Sequence, residues 1–536
     1  MPVSSSKPKP KARKPATKRC RTKRWRDRKG KLHHKRVCVP VKKAKPKTPA
    51  VKPVAAHPAT PDPKPVSFPQ PPAATPPAPT NKQPPFVAPQ HQLTERQAER
   101  LLWRAGFGPA PGQAAVVATK SLEDVVLGLT RPSGTAHLVG PEPHDDDGYA
   151  LSPLDASYHD HLFLLDRMVR SDQPLVERMA LIFHDWFGVS REGVTTNKQM
   201  LDHFALLREK GLGSFRDLLE GVTGNVAMLL FLGGKENTKS NPNENFAREL
   251  MELFTLGADR GAYTEADVRE MARALTGWTV HYTPEAGITD SWFDPTRHDA
   301  GTKTIFGHTG TYSWDDALRL CLENPLHPSF FVTKLWSYFV PSPPDDATLA
   351  ALQGVYLSSG YGIRPVVEAI LMHPVFLGGE DMVIPPVVYN AGLLRARSRG
   401  IDTEVWGWLS QITGQQLLYP PNVAGWDDTH WLDTATMRGR WMMANYVAMP
   451  WAINPWPPAG TRLDYDADES AQAAFDAAVA FWGSPVLSAE TRTVIMDFAS
   501  TCLPSPMASW QVKPYKAMRQ NALRMLVASS PDMQVS

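Results

Sequence analysis

The stretch NPNENFARELMELFTLG, residues 241–257, concentrates polar side chains suited to chemistry. Phe246, Leu250, Leu253 and Phe254 recur at helical spacing as one apolar stripe, which turns Asn245, Arg248, Glu249 and Glu252 to the opposite side. Glu244 and Glu249 are the candidate acid/base carboxylates. Asn243, Asn245 and Arg248 would position a substrate, and a hard cation would suit the same polar set. The alternative is a solvated face on which Glu244, Arg248 and Glu252 form a ladder of ion pairs worth about 0.2–0.5 kcal/mol each.

Three other places carry reactive residue types. His298, Asp299 and Lys303 sit in a Gly/Thr/aromatic-rich region without a helical period, where a His beside an Asp, with a Lys close by, suits acid/base work or binding of a phosphate, sulfate or carboxylate. A turn stabilised by Asp299 accounts for the same residues. His184 lies on a helix beside apolar neighbours and is a candidate acid/base group or a hydrogen-bonded structural histidine. In PPNVAGWDDTHWL, Asn422, Trp426, Asp427 and Trp431 resemble a sugar-stacking surface, against the alternative of core-anchoring aromatics.

The elements that must hold these residues are helical. Asn241 with Glu244 reads as a capping box, Gly257 as a left-handed stop, and Thr264 with Asp267 opens a second helix with Val268, Met271, Ala272 and Leu275 inward. Thr94 with Gln97 caps another, and helical periodicity returns at 155–170, 174–187, 327–339 and from Thr434 to the end. Only 276–312 departs from it, reading as loops with one small β-hairpin that includes KTIFG. The fold class expected is therefore mainly α: one large multi-helix domain over 91–536 with a single loop/β insertion.

The segments 241–257 and 263–278 together resemble the signature of the bacterial family of the domain of unknown function 1800. The similarity continues in FDPTRHDAGTKTIFG, in HPSFFVTKLWSYFV and in PPNVAGW, and so runs from about Leu93 to the C-terminus. It implies a mostly helical fold and a bacterial origin, and it supplies no catalytic residue or cofactor. The family pattern near His184 reads Trp-His-Asn-His-Phe. Here Phe183, His184, Asp185, Trp186 and Phe187 stand instead, so tryptophan replaces the second histidine and the departure argues against a paired-histidine metal site. Family members are often encoded beside sulfatase-like proteins, which implies a partner of that kind.

Residues 1–90 differ in kind. They hold 23 of the 58 Lys and Arg, two of the 54 acidic residues and 21 of the 51 prolines, leaving 35 basic against 52 acidic residues from His91 on. A tail of +21 thus precedes a body of −17. So few apolar side chains predict a disordered tail and linker. Such a tail binds polyanions by counterion release, be they wall polymer, anionic membrane or nucleic acid. Cys20, His33, His34 and Cys38 lack the close spacing of a zinc ribbon, so no metal is assigned there.

No signal peptide is visible, and no apolar run approaches the ~18 residues needed to cross a bilayer. Walker, Rossmann, GxSxG, HExxH and EF-hand patterns are absent, so no cofactor is identified. Carboxylates, amides and tryptophans recurring together point to a hydrolase-like enzyme of the envelope acting on a polysaccharide or wall polymer. The competing reading is a non-catalytic scaffold or partner subunit anchored by its tail.

Overall fold

The computed structural model describes residues 18–26, 32–40, 92–458 and 469–536. The chain is mainly α, with 21 α-helices among the described residues, and its body, Ala78–Ser536, forms a unit of its own. Local signals set many helix starts. Thr94, Thr196 and Thr264 each accept from the backbone three residues on while Gln97, Gln199 and Asp267 reach back, satisfying two otherwise orphaned N–H groups apiece.

The central segment differs from the expected continuous helix. Asn243, rather than Asn241, caps it, its Oδ1 accepting from the Asn245 N–H. An α-helix over Glu244–Glu249 then gives way to a π-helix over Leu250–Thr255. Gly257 closes it at φ +88°, donating to Met251 O. Widening the turn keeps Leu250 and Phe254 fully buried and leaves Leu253 only half-buried.

The insertion holds two hairpins where one was expected. Trp278–Thr283 pairs with Gly287–Phe293 around a register shift between Val280 and Tyr282, and Lys303–Ile305 pairs with His308–Gly310. The first was hidden by the Gly and Thr content of a segment whose Trp278, Val280, Tyr282, Ile288 and Trp292 are nonetheless strand formers.

In the tail, Lys18–Arg26 pairs antiparallel with Leu32–Pro40, Cys20 opposite Cys38. Trp25, Val37 and Val39 give those strands their β-forming residues. The rest of the reading of 1–90 as disordered lies outside the described residues. Among the described residues no helix is long and apolar enough to cross a membrane.

An aromatic cluster binds the helices that matter below. Trp186 is fully buried with ring contacts to Phe183, Phe215 and Phe331 at 5.6–5.8 Å, and Phe187 meets Phe254 at 5.0 Å. These contacts lock the helix Pro174–Trp186 to His327–Ser337 and to the π segment. Each such ring contributes on the order of 1.5–3 kcal/mol by leaving water.

Candidate functional site

The helix Pro174–Trp186 starts on a proline and is buried on nearly every side. Arg178, Leu181, Ile182 and Asp185 recur at i, i+3, i+4 and i+7, so one face of it lines a cleft of about 180 Å³. Lys334 and Tyr338, four apart at the end of His327–Ser337, form a second wall, and Gln415, Trp426, Asp428 and Trp431 close the third.

Asp185 is the hub. Its Oδ2 accepts from the Tyr338 hydroxyl at 2.7 Å and its Oδ1 from the Trp426 backbone N–H at 2.7 Å. Gly425, at φ +93°, makes the second bond possible, because a Cβ there would overlap Asp185 Oδ1. Gly188 serves the same approach: a Cβ on it would sit 2.5 Å from Val423 O. The GW of PPNVAGW and the D-W-F-G after His184 are thus two halves of one contact.

Burial perturbs Asp185, Lys334, Arg178 and Tyr338. It raises the Asp185 carboxyl, against the Trp426 and Tyr338 hydrogen bonds and the charge of Lys334, which lower it. It pushes the Lys334 ammonium down to about 8, opposed by Asp185, and Arg178 down to about 10. Burial and then Asp185 hold the Tyr338 hydroxyl well above 10, so it stays a donor. A carboxyl pushed up beside a lysine pushed down, both in a cleft, is the kind of perturbed pair that clusters at functional sites.

The central segment supports this hub through its backbone. The carbonyls of Leu253, Phe254 and Thr255, orphaned at the end of the π-helix, accept from Lys334 Nζ at 3.0 Å, Trp186 Nε1 at 3.2 Å and His327 Nδ1 at 2.8 Å. Burial leaves His327 neutral, with its pKa down at about 4, so Nε2 accepts from the Tyr356 hydroxyl at 2.9 Å.

The carboxylates singled out on that segment do not line the cleft. Arg248 is bidentate to Glu265 at 2.7 and 2.8 Å and reaches Glu244 at 3.5 Å, so Glu244 and Arg248 form a partly exposed ion-pair ladder. Glu249 is half-buried, its carboxyl raised by burial and then by Glu252. Asn243 is the helix cap and also donates to Gly233 O at 3.2 Å, while Asn245 is exposed.

Nor does the 298–303 loop reach it. Asp299 is held by Arg273 at 2.7 and 3.3 Å, which keeps its carboxyl below the usual range, and its Oδ1 accepts from the Gly301 N–H in a turn. Lys303 is 1 % exposed and donates to the carbonyls of Asp299 and Gly301. His298 Nδ1 lies 2.9 Å from Thr276 O. These bonds build the turn around Arg273.

Of the residues chosen from sequence, Trp426 and Trp431 line the cleft, and His184 backs it. His184 is fully buried, its ring edge-on to Trp426 at 5.4 Å and to Phe204 at 5.5 Å, and neither ring nitrogen has a partner among the described residues. Burial and then His203 lower it to about 3, so it stays neutral. Asn422 is exposed and turns its own loop, accepting from the Ala424 N–H at 2.8 Å.

Sequence reasoning passed over Asp185, Arg178, Lys334, Tyr338 and Gln415. A signal existed for two of them: Arg178 and Lys334 each put a cation inside a helix whose neighbours are apolar or aromatic.

Among the described residues one group has metal-ligand proximity, Asp145, His159 and Glu404. Its atoms are engaged with each other and the backbone: His159 Nδ1 accepts from the Ser152 N–H, Nε2 lies 3.0 Å from Glu404, and Asp145 Oδ1 accepts from the N–H groups of Asp147 and Tyr149.

The chain is a large helical protein with one cleft centred on the half-buried Asp185. The chain belongs to the family described as protein of unknown function (DUF1800), whose profile matches residues 100–535. No curated protein and no solved structure matches it.

Proposed function

We propose that this chain is a hydrolase-like enzyme of the cell envelope that cleaves a polysaccharide or other wall polymer in the Asp185 cleft. The observation that carries the reading is a half-buried carboxyl, Asp185, raised by desolvation, sharing a cleft with a second, exposed carboxylate, Asp428, and with Trp426 and Trp431. Glycoside hydrolysis uses such a pair: one carboxyl keeps its proton for the leaving oxygen and the other takes a proton from water. Asp185 gives its proton to the departing oxygen as the C–O bond breaks. Asp428 accepts the proton of the attacking water, and solvent returns one to Asp185. Tyr338 and the Trp426 N–H hold the carboxyl in place, and the tryptophan rings offer stacking surface to a sugar.

Residues 1–90, with their 23 cationic side chains, would hold the enzyme on an acidic polymer. A sulfatase-like protein acting in series is the partner this reading expects.

A non-catalytic scaffold is the second reading. It is favoured by the closed bonds of Arg248, Asp299 and Lys303, which leave those motif residues nothing to offer a ligand. Incubating the full chain with peptidoglycan, teichoic acid and a panel of glycans, and measuring new reducing ends or released fragments, separates the two. Turnover by the wild type that Asp185→Asn lacks supports the enzyme; no turnover on any polymer supports the scaffold.

A further inference from the structure

The walls of the Asp185 cleft hold donors with bonding capacity left over among the described residues. Arg178 is 3 % exposed and its Nε donates to Arg104 O at 3.3 Å, but neither Nη has an acceptor among the described residues and no carboxylate pairs with it as a salt bridge. Gln415, also 3 % exposed, accepts from the Val387 N–H through Oε1, and its Nε2 has no such acceptor. The buried indole N–H of Trp431 has none either. Lys334 gives one hydrogen bond, to Leu253 O, and keeps two further N–H groups.

Acceptors in the cleft are few by comparison. Both Asp185 oxygens are taken by Tyr338 and Trp426, and the Ser337 hydroxyl donates to Lys334 O at 2.9 Å. Asp428 stands exposed at the rim. A buried donor without an acceptor, as the Trp431 N–H is, costs free energy, and a ligand in the cleft would supply the missing partner to it and to the Arg178 and Gln415 donors beside it. Two cations and two neutral donors around one space call for a ligand with several acceptor oxygens and a negative charge, and a guanidinium with both Nη groups free matches an oxyanion bidentately.

We infer that the cleft recognises an oxyanion on its substrate, a carboxylate, sulfate or phosphate group borne by the polymer, with Arg178 as the principal contact and Gln415, Trp431 and Lys334 around it. This rests on the cleft being the reaction site proposed above and narrows the substrate to an acidic polymer. The body carries 35 basic against 52 acidic residues, so its general field repels polyanions. Recognition is therefore local: the cleft selects the acidic unit that the basic tail brings near.

The test is a calorimetric titration of full-length wild type and of Arg178→Gln with four probes: oligogalacturonate, its uncharged methyl ester, a sulfated galactan oligosaccharide and a glycerol-phosphate oligomer. The tail is common to both chains, so the difference between them reports the cleft. Loss of a charge-assisted bidentate contact should weaken at least one acidic probe about 10- to 100-fold and leave the methyl ester unchanged, and the arm affected names the oxyanion. Arg178→Lys should fall between.

Trp431→Phe keeps the ring and removes the orphan N–H. It should weaken the same acidic probe while holding or raising thermal stability, and it tests the inference even if the Arg178 variants fail to fold. Equal affinities of wild type and variants for all three acidic probes would overturn the inference. Turnover of neutral and acidic polymers without discrimination removes the inference and keeps the hydrolase. Discrimination without turnover of any polymer keeps the oxyanion site and removes the hydrolase.

Discussion

The Tyr338 hydroxyl donates to Asp185 Oδ2 at 2.7 Å across 153 residues of sequence, and both side chains are half-buried in the wall of one cleft. This bond joins the two helices that carry the cleft. It also lowers the Asp185 pKa against the larger effect of burial. Tyr338→Phe should therefore raise the Asp185 pKa further and cost about 1–3 kcal/mol in urea unfolding, the range for a buried acceptor losing its partner. A variant as stable as wild type would show that the bond contributes nothing.

Gly425 is the residue least able to change. Alanine there faces both a left-handed backbone and overlap with Asp185 Oδ1, so the carboxylate or the loop must move. Gly425→Ala should lose more than about 1 kcal/mol of stability and most turnover. Gly112, at φ +73° with open space around it, is the control: Gly112→Ala should lose stability and leave turnover intact.

Glu99 titrates far from the cleft and makes stability depend on pH. Burial raises its carboxyl to about 7, opposed by the Val486 N–H, which bonds Oε1 at 2.9 Å. The folded chain thus holds a proton that the unfolded chain releases near 4.5. The associated stability is complete below that pH and lost as pH rises through about 7. Glu99→Gln should match wild type at pH 4.5 and exceed it at pH 8 by on the order of 2–3 kcal/mol. Parallel melts at the two pH values check this.

His184 and His203 act in the opposite sense. Burial lowers them to about 3 and 4, so the unfolded chain binds protons that the folded chain refuses. Stability is present above about 6.5 and falls as pH drops toward 4. His184→Phe removes one such group and two unpartnered nitrogens. It should flatten the acid limb of the stability curve and be neutral or stabilising at pH 7. A loss of more than about 2 kcal/mol at pH 7 would mean that the imidazole has a partner it needs.

Much of the fold was legible because helix starts are local events. Thr94 with Gln97 and Thr264 with Asp267 close capping boxes three residues apart, and Gly257 and Gly277 have the positive φ their positions imply. The π-helix was not legible, since its cause is tertiary: the carbonyls it frees are claimed by Trp186, His327 and Lys334 from other helices.

The site was legible only at its edge. Trp426 was singled out as an aromatic platform, yet its backbone N–H on Asp185 depends on how two distant segments meet. Glu244 and Glu249 drew attention by residue type and helix face. The ladder read there as the alternative forms between Glu244 and Arg248, with Glu265 from the next helix as the further partner, and neither type nor face reveals that the cleft opens beside Pro174–Trp186.

The central claim is that chemistry occurs at Asp185 rather than at the acidic face of the 241–257 segment. It is tested most directly by polymer cleavage rates of three full-length chains: wild type, Asp185→Asn and the double variant Glu244→Gln with Glu249→Gln. The account predicts cleavage by wild type, cleavage within about twofold of it by the double variant, and a loss of about 100-fold or more in Asp185→Asn, the range for removing a positioned general acid. Cleavage retained by Asp185→Asn, or abolished in the double variant, would contradict it.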